Sequence, residues 1–145
     1  MYTKILVPLD SSKRAENILP HVEDLAARYQ AEVLLLQVIE YQTQTGNDFD
    51  YHPLSTENLD HIKQMAETYL VGIQRAFQKK KIHCHLLVTF GPVVEMIIYA
   101  AQHENCDIVA MASHGRGGLA RVFYGSVAAG VLQRIDRPLL IIRSR

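Results

Sequence analysis

Apolar residues recur along the chain in two alternating patterns, short continuous runs and longer stripes at helical spacing. Continuous runs of about four to eight apolar residues between turn residues are typical of buried strands. Apolar residues three and four positions apart are typical of one face of a helix. The continuous runs predict five strands, at residues 5–9, 31–39, 82–89, 107–112 and 139–143.

Helical stripes occupy the intervals between these runs, and they begin near Ala15, Thr56, Gly91 and Ser126. Serine after the first run is a common helix cap, so Ser11 or Ser12 is predicted to begin the first helix. Pro20 lies inside the first stripe and has no N–H to bond back along the helix. We therefore predict a kink early in that helix.

Regular alternation of strands and helices predicts an α/β fold, with an open five-stranded parallel sheet and helices on both faces. No linker or repeat divides the chain, so residues 1–145 are predicted to form a single domain. Ligands of such sheets bind beyond the carboxyl ends of the strands, where the strand order reverses. Residues 8–12, residues 38–40 and the loop after the fourth strand are predicted to meet there. The long segment 40–55 is predicted to be a lid or a mobile excursion over them.

Composition excludes several classes of protein. Lys plus Arg and Asp plus Glu number 15 each, so no overall charge favours nucleic acid or an anionic membrane. The first residues lack a signal-peptide pattern, and no apolar run approaches the ~20 residues of a membrane span. Cys84 and Cys106 have no metal-binding spacing. A cytoplasmic protein with reduced, buried thiols is predicted.

A glycine-rich segment follows the fourth predicted strand and leads into the last helix. Free N–H groups at a helix N-terminus favour an anion such as phosphate. The segment has no Gly-Lys pair, which excludes a P-loop. Gly115-Arg-Gly-Gly-Leu-Ala120 fits G-x-G-x-x-A, but it follows the fourth strand and no helix begins at once, which disfavours a dinucleotide fingerprint. A split phosphate site remains, at Gly115 and at Gly125-Ser126.

Five sequence blocks in order resemble the nucleotide-binding branch of the universal stress protein family. That family has the signature Gly-x2-Gly-x9-Gly-Ser/Thr, and this chain has Ala112-Ser-His-Gly115, nine residues, and Gly125-Ser126. The other blocks are Lys4-Ile-Leu-Val-Pro-Leu-Asp10-Ser, Leu35-Leu-Gln-Val38-Ile, Gly91-Pro92 and Arg137-Pro-Leu-Leu-Ile-Ile142. The resemblance covers the whole chain. It implies a Rossmann-like fold similar to that of the adenine nucleotide alpha hydrolases.

The resemblance also implies a set of nucleotide-binding residues. Asp10 would meet the adenine or ribose edge, Val38 would line the adenine pocket, and Arg116 would supply a charge for the phosphates. Mg²⁺ would arrive with ATP, ADP or AMP, without a ligand from the protein. The full set is Pro8, Asp10, Val38, Ala112, His114, Gly115, Arg116, Gly125, Ser126 and Val127.

Several of these residues have a structural interpretation as well. Asp10 can simply cap the first helix, Ser126 is a natural N-cap, and the glycines can form a flexible turn. A loop histidine such as His114 usually makes a structural hydrogen bond. Ala112 replaces the first glycine of the signature, so its methyl group would crowd the ligand if the backbone needs a positive φ.

Three functional hypotheses follow. The leading one is an ATP- or adenine-nucleotide-binding regulatory protein of the stress response, a switch that acts on an unknown protein partner. The alternatives are a slow ATP hydrolase and a nucleotide-free dimeric interaction module. No nucleophile–base pair is assembled in the sequence, so an enzyme is disfavoured. The resemblance places a homodimer contact on the edge strand from Leu139 to Arg143, and an apolar edge strand pairs readily.

Overall fold

The computed structural model describes residues 1–40, 56–113 and 125–144, in which five strands alternate with helices. The strands are β1 (Lys4–Leu9), β2 (Glu32–Ile39), β3 (Cys84–Phe90), β4 (Ile108–Ala112) and β5 (Leu139–Ile142). The helices are a 3₁₀ helix (Ala15–Ile18), α1 (Leu19–Tyr29), α2 (Thr56–Lys79), α3 (Val93–His103) and α4 (Ser126–Arg134). Every strand lies within two residues of its predicted bounds, which confirms the predicted element order.

All five strands are parallel and lie in the order β3-β2-β1-β4-β5. The chain therefore winds outward from β1 in both directions, and the order reverses between β1 and β4. Those two strands pair only at Ile5 with Ile108 and at Leu6 with Val109, although both continue for three residues beyond that point. The missing pairs leave an opening between their carboxyl ends, which is the position where open α/β sheets bind ligands.

Two apolar cores lie on opposite faces of the sheet. On one face, residues such as Val7 and Leu35 pack beneath α1 and α2. On the other, residues such as Leu6, Leu36 and Met111 pack beneath α3 and α4. Alternate residues of each strand thus enter different cores, which is why the strands are nearly continuous in apolar residues. The prediction of helices on both faces is confirmed.

The kink predicted at Pro20 is wrong. The segment from Ala15 to Ile18 is a separate 3₁₀ helix, and α1 begins at Leu19 with Pro20 within its first two positions. Proline is well placed there because the first N–H groups of a helix have no intrahelical partner, so its missing N–H costs nothing. Ser12 does act as a cap, since its Oγ accepts a hydrogen bond from the Ala15 N–H at 3.1 Å.

Cys84 and Cys106 are both free and buried. Burial raises the pKa of the Cys84 thiol to about 12 and that of Cys106 to about 11. Both thiols are therefore protonated at neutral pH and behave as small apolar side chains, as predicted. None of the helices described for this chain combines the length and apolar character that crossing a membrane requires.

Candidate functional site

The carboxyl ends of the strands bring together the predicted residues that the structure describes. Pro8 lies in β1, Asp10 follows it, and Val38 lies near the end of β2. The last pair of β1 with β2 is Leu9 with Gln37, and Asp10 and Val38 are the residues that follow this pair in sequence. Across the opening, the N–H of Gly125 donates a hydrogen bond to the Ser113 carbonyl and so fixes the start of α4 against the end of β4.

Asp10 forms a tight turn at the end of β1. Its Oδ1 accepts hydrogen bonds from the Ser12 N–H at 3.0 Å and from the Ser12 hydroxyl at 2.6 Å. Ser11, between them, has a left-handed φ of 70°, and Gln37 Nε2 donates to its Oγ at 3.0 Å. Side-chain bonds of this kind stabilise turns with unusual backbone angles. Asp10 thus has a structural role in the turn before the first helix, whereas the capping bond to that helix is the one that Ser12 accepts from Ala15.

Buried polar atoms without a hydrogen-bond partner concentrate at this same edge. In the described part of the chain such atoms are Gln37 Oε1, Thr89 Oγ1, Ser113 Oγ and the Tyr69 hydroxyl. Three of the four belong to residues at the carboxyl ends of β2, β3 and β4. An orphaned buried polar group costs about 1–3 kcal/mol, so natural proteins retain few of them without a function. Their common location indicates a site that a polar ligand completes.

Tyr69, on α2, is partly buried and packs against the core beneath α1 and α2. Burial raises the pKa of its hydroxyl, and the carboxylates of Glu16 and Asp10 raise it further. The hydroxyl therefore stays protonated beside these two acids. It approaches Glu16 without reaching hydrogen-bond geometry, so it is not satisfied there.

The N-terminus of α4 is open to an anion. Gly125 is the N-cap and has no side chain with which to cap this end, and the first turn contains no acidic residue. Ser126 is the first helical residue, so the prediction of Ser126 as N-cap is wrong by one position. The N–H groups of Ser126 and Val127 belong to the first turn, where helical N–H groups lack intrahelical acceptors. Together with the helix dipole they favour a negative charge at this point.

Ala112 is the last residue of β4, where its backbone pairs with Ile142. The left-handed non-glycine residues of the described chain are Ser11, Gln30, Lys81 and Asn105, and Ala112 is not one of them. Its backbone therefore does not need the conformational freedom of glycine. Because side chains alternate along a strand and Ala110 belongs to the core beneath α1 and α2, the Ala112 methyl group shares that face. The methyl group therefore lies on the opposite face of the sheet from the side chains of the neighbouring residues, Met111 and Ser113.

We expect Ala112→Gly to leave ligand affinity within about twofold of wild type. The same substitution will lower the free energy of unfolding by about 1 kcal/mol, because glycine loses more backbone entropy in a strand. Chemical denaturation and titration calorimetry on the same preparations measure both quantities. A tenfold gain in affinity would instead mean that the methyl group obstructs the ligand.

Some predicted features lie outside the described residues. These are His114, Gly115 and Arg116 of the phosphate loop, and all but the first residue of the predicted lid, that is, residues 41–55. Within residues 1–40, 56–113 and 125–144, no three or more His, Cys, Asp or Glu side chains form a group that could hold a metal ion.

Three residues that the sequence analysis did not select belong to the edge just described, namely Gln37, Thr89 and Ser113. A signal for them exists in the sequence. Each is a polar residue that directly follows three apolar residues near the end of a predicted strand, in Leu-Leu-Leu-Gln37, Leu-Leu-Val-Thr89 and Ala-Met-Ala-Ser113. Such positions are close to the ligand edge of a parallel sheet.

An open parallel α/β sheet whose strand order reverses between β1 and β4 is the class of protein that this geometry defines. A model of the universal stress protein family matches residues 1–143. The chain belongs to that family.

Relatives of known name cover nearly the full chain. Universal stress protein MJ0577 of Methanocaldococcus jannaschii is 26% identical over 157 residues, which cover 100% of this chain and 97% of the relative. The solved structure of MJ0577 superposes with a TM-score of 0.86 at 28% identity, covering 100% and 98% of the two chains. Universal stress protein UspA of Lactobacillus plantarum superposes with a TM-score of 0.83 at 26% identity, covering 98% of each chain.

Two more distant structures contain a ligand. A universal stress protein from Archaeoglobus fulgidus was solved in complex with dAMP, and it has a TM-score of 0.69 at 17% identity over 97% of this chain and 98% of its own. Another universal stress protein was solved in complex with cAMP, with a TM-score of 0.66 at 18% identity over 99% and 98% of the chains. At these identities the likeness shows a shared fold.

Proposed function

We propose that this protein binds an adenine nucleotide at the carboxyl edge of its sheet and acts as a nucleotide-dependent regulatory switch in the stress response. The observation that carries the proposal is the N-terminus of α4, whose N-cap Gly125 has no capping side chain and donates to the carbonyl of Ser113, a residue with a buried and unpartnered hydroxyl. A helix N-terminus without an acidic first turn, next to an orphaned hydroxyl, suits a phosphate group.

The proposed site has a base end and a phosphate end. Pro8, Asp10 and Val38 would form the base end, because Val38 offers an apolar surface and Asp10 a fixed carboxylate. Gly125, Ser126 and Val127 would form the phosphate end through their N–H groups. By family resemblance, His114, Gly115, Arg116 and the Ala112 backbone complete the phosphate end, and Mg²⁺ enters with the nucleotide. Two universal stress proteins bound to dAMP and cAMP support the choice of an adenine ligand with a phosphate.

Titration calorimetry with ATP, ADP and AMP, each with and without Mg²⁺, tests this proposal. We expect saturable 1:1 binding, with ATP strongest if the phosphate chain follows the start of α4. Absence of binding at millimolar nucleotide would refute the proposal. Adenine absorbance in the supernatant of heat-denatured purified protein identifies which nucleotide the protein retains.

A homodimer through β5 is part of the proposal. β5 pairs with β4 along one side and forms the other edge of the sheet, and all four of its residues are half-buried. An apolar edge strand is prone to pair with another strand, and a second copy of the chain offers one. Light scattering at ~10 μM should give twice the mass of the chain, because interfaces of standard size usually persist at that concentration. A monomer at that concentration would contradict the dimer. The cytoplasmic location and the unknown regulatory partner stay predictions of the sequence.

A further inference from the structure

We propose that the Thr89 hydroxyl is a base-recognition group of the nucleotide site. The inference rests on the proposed function, and it assigns the specificity of the base end to a residue outside the phosphate-binding signature. Thr89 lies in β3, at the far side of Val38 from Asp10.

Strand register places Thr89 at the base end. Thr89 pairs with Val38, and on the other side of β2 the last pair is Gln37 with Leu9, the residue before Asp10. Neighbouring strands are about 4.8 Å apart, so the backbones of Thr89 and Val38 lie at about that spacing, and β1 lies one spacing beyond β2 on the other side. Leu87 and Val38 both pack into the core beneath α3 and α4, and alternation along β3 puts Thr89 on the same face as these two. A base resting against Val38 thus has the Thr89 hydroxyl on one side and the end of β1, where the Asp10 turn begins, on the other.

The same register keeps Thr89 away from the phosphates. β3 is separated from β4 by β2 and β1, which amounts to three strand spacings, or roughly 14 Å. The phosphate end lies where α4 begins beside β4. The Thr89 hydroxyl is therefore placed to meet a group at the opposite end of the ligand.

The Thr89 side chain makes no hydrogen bond that would explain a hydroxyl at this position. Its Oγ1 is buried and unpartnered, while the residues before it in β3, Leu87 and Val88, are apolar. Valine has the same shape as threonine and suits a strand equally well, so packing alone would be better served without the oxygen. A hydroxyl both donates and accepts, which matches the amino donor and ring-nitrogen acceptors that adenine presents along its edge.

The test compares Thr89→Val, which removes the hydroxyl, with Thr89→Ser, which keeps it. We expect Thr89→Val to weaken ATP binding by about five- to tenfold in titration calorimetry, the size of one neutral hydrogen bond. Thr89→Ser should stay within about threefold of wild type. The melting temperature of nucleotide-free Thr89→Val should equal or exceed that of wild type, because the variant loses an unsatisfied buried oxygen.

Each other outcome overturns the inference. ATP affinity that is unchanged in Thr89→Val would remove the hydroxyl from the base end and leave the proposed function intact. A Thr89→Val protein that melts several degrees lower would show that the hydroxyl is a structural group satisfied within the free protein. Wild-type protein that binds no adenine nucleotide would refute the proposed function and this inference together.

Discussion

Ser126→Asp will raise the melting temperature of the free protein and, at the same time, reduce ATP affinity at least fiftyfold. Ser126 is the exposed first residue of α4, which has neither a side-chain cap nor an acid in its first turn. A carboxylate there interacts favourably with the helix dipole, by about 0.5 kcal/mol. In the proposed complex the same carboxylate occupies the place of a phosphate and repels it. Stability and affinity should therefore move in opposite directions.

Ser126→Asn is the matched control because it has the same size as aspartate and no charge. We expect its ATP affinity to stay within about fivefold of wild type, since the N–H groups of the first turn remain available. Thermal denaturation and calorimetry on the three proteins separate the two effects. ATP binding that is as tight in Ser126→Asp as in wild type would mean that the phosphates do not reach the start of α4.

Local patterns specify most of this fold. The strands are apolar on both faces because each contributes to two cores, so they stand out in the sequence whatever their order in the sheet. The error at Pro20 has a simple cause. A 3₁₀ helix followed directly by an α-helix keeps nearly the same apolar spacing as one long helix, and spacing cannot locate the change between them.

The site was predictable to the extent that it depends on position along the chain. Asp10, Val38 and Gly125 lie directly at element ends, where the topology alone brings them to one edge. Thr89 and Ser113 could be selected only with the structure, because a polar residue near the end of a strand is common. Their burial and their lack of a hydrogen-bond partner distinguish these two. The significance of Thr89 further depends on its register with Val38, which no property of β3 alone determines.

The effect of Ala112 on ligand binding likewise depends on its backbone conformation, which the sequence alone does not give. A family signature with glycine at this position does not say whether the glycine provides a positive φ or merely a small side chain. The strand conformation of Ala112 answers the first part, because β4 continues through it to pair with Ile142. The main sequence-based reason for a nucleotide-free protein is thereby weakened, and the calorimetric titration becomes the direct test.

Gly130→Ala is expected to lower the free energy of unfolding by about 1 kcal/mol net, although the residue lies within a helix. A Cβ at Gly130 would come within 2.7 Å of Val94 Cγ2 and 3.3 Å of Val94 Cγ1, so rotating the valine about χ1 does not clear the contact. Overpacking of this kind costs about 1–3 kcal/mol, which outweighs the roughly 1 kcal/mol that alanine gains over glycine in a helix. Because α4 must then move away from α3, its N-terminus shifts as well, and ATP affinity should fall in parallel.

Gly72→Ala provides the matched control, because a Cβ at Gly72 in α2 meets no atom within 4 Å. That substitution should raise the free energy of unfolding by about 1 kcal/mol through helix propensity alone. Val94→Ala introduced together with Gly130→Ala removes the atoms in conflict, so the double variant should be more stable than the sum of the single effects by about 1–2 kcal/mol. Strict additivity would contradict the contact between α3 and α4 as the cause. Recovery of ATP affinity in the double variant would further show that this glycine sets the position of α4, and hence of the phosphate end of the site.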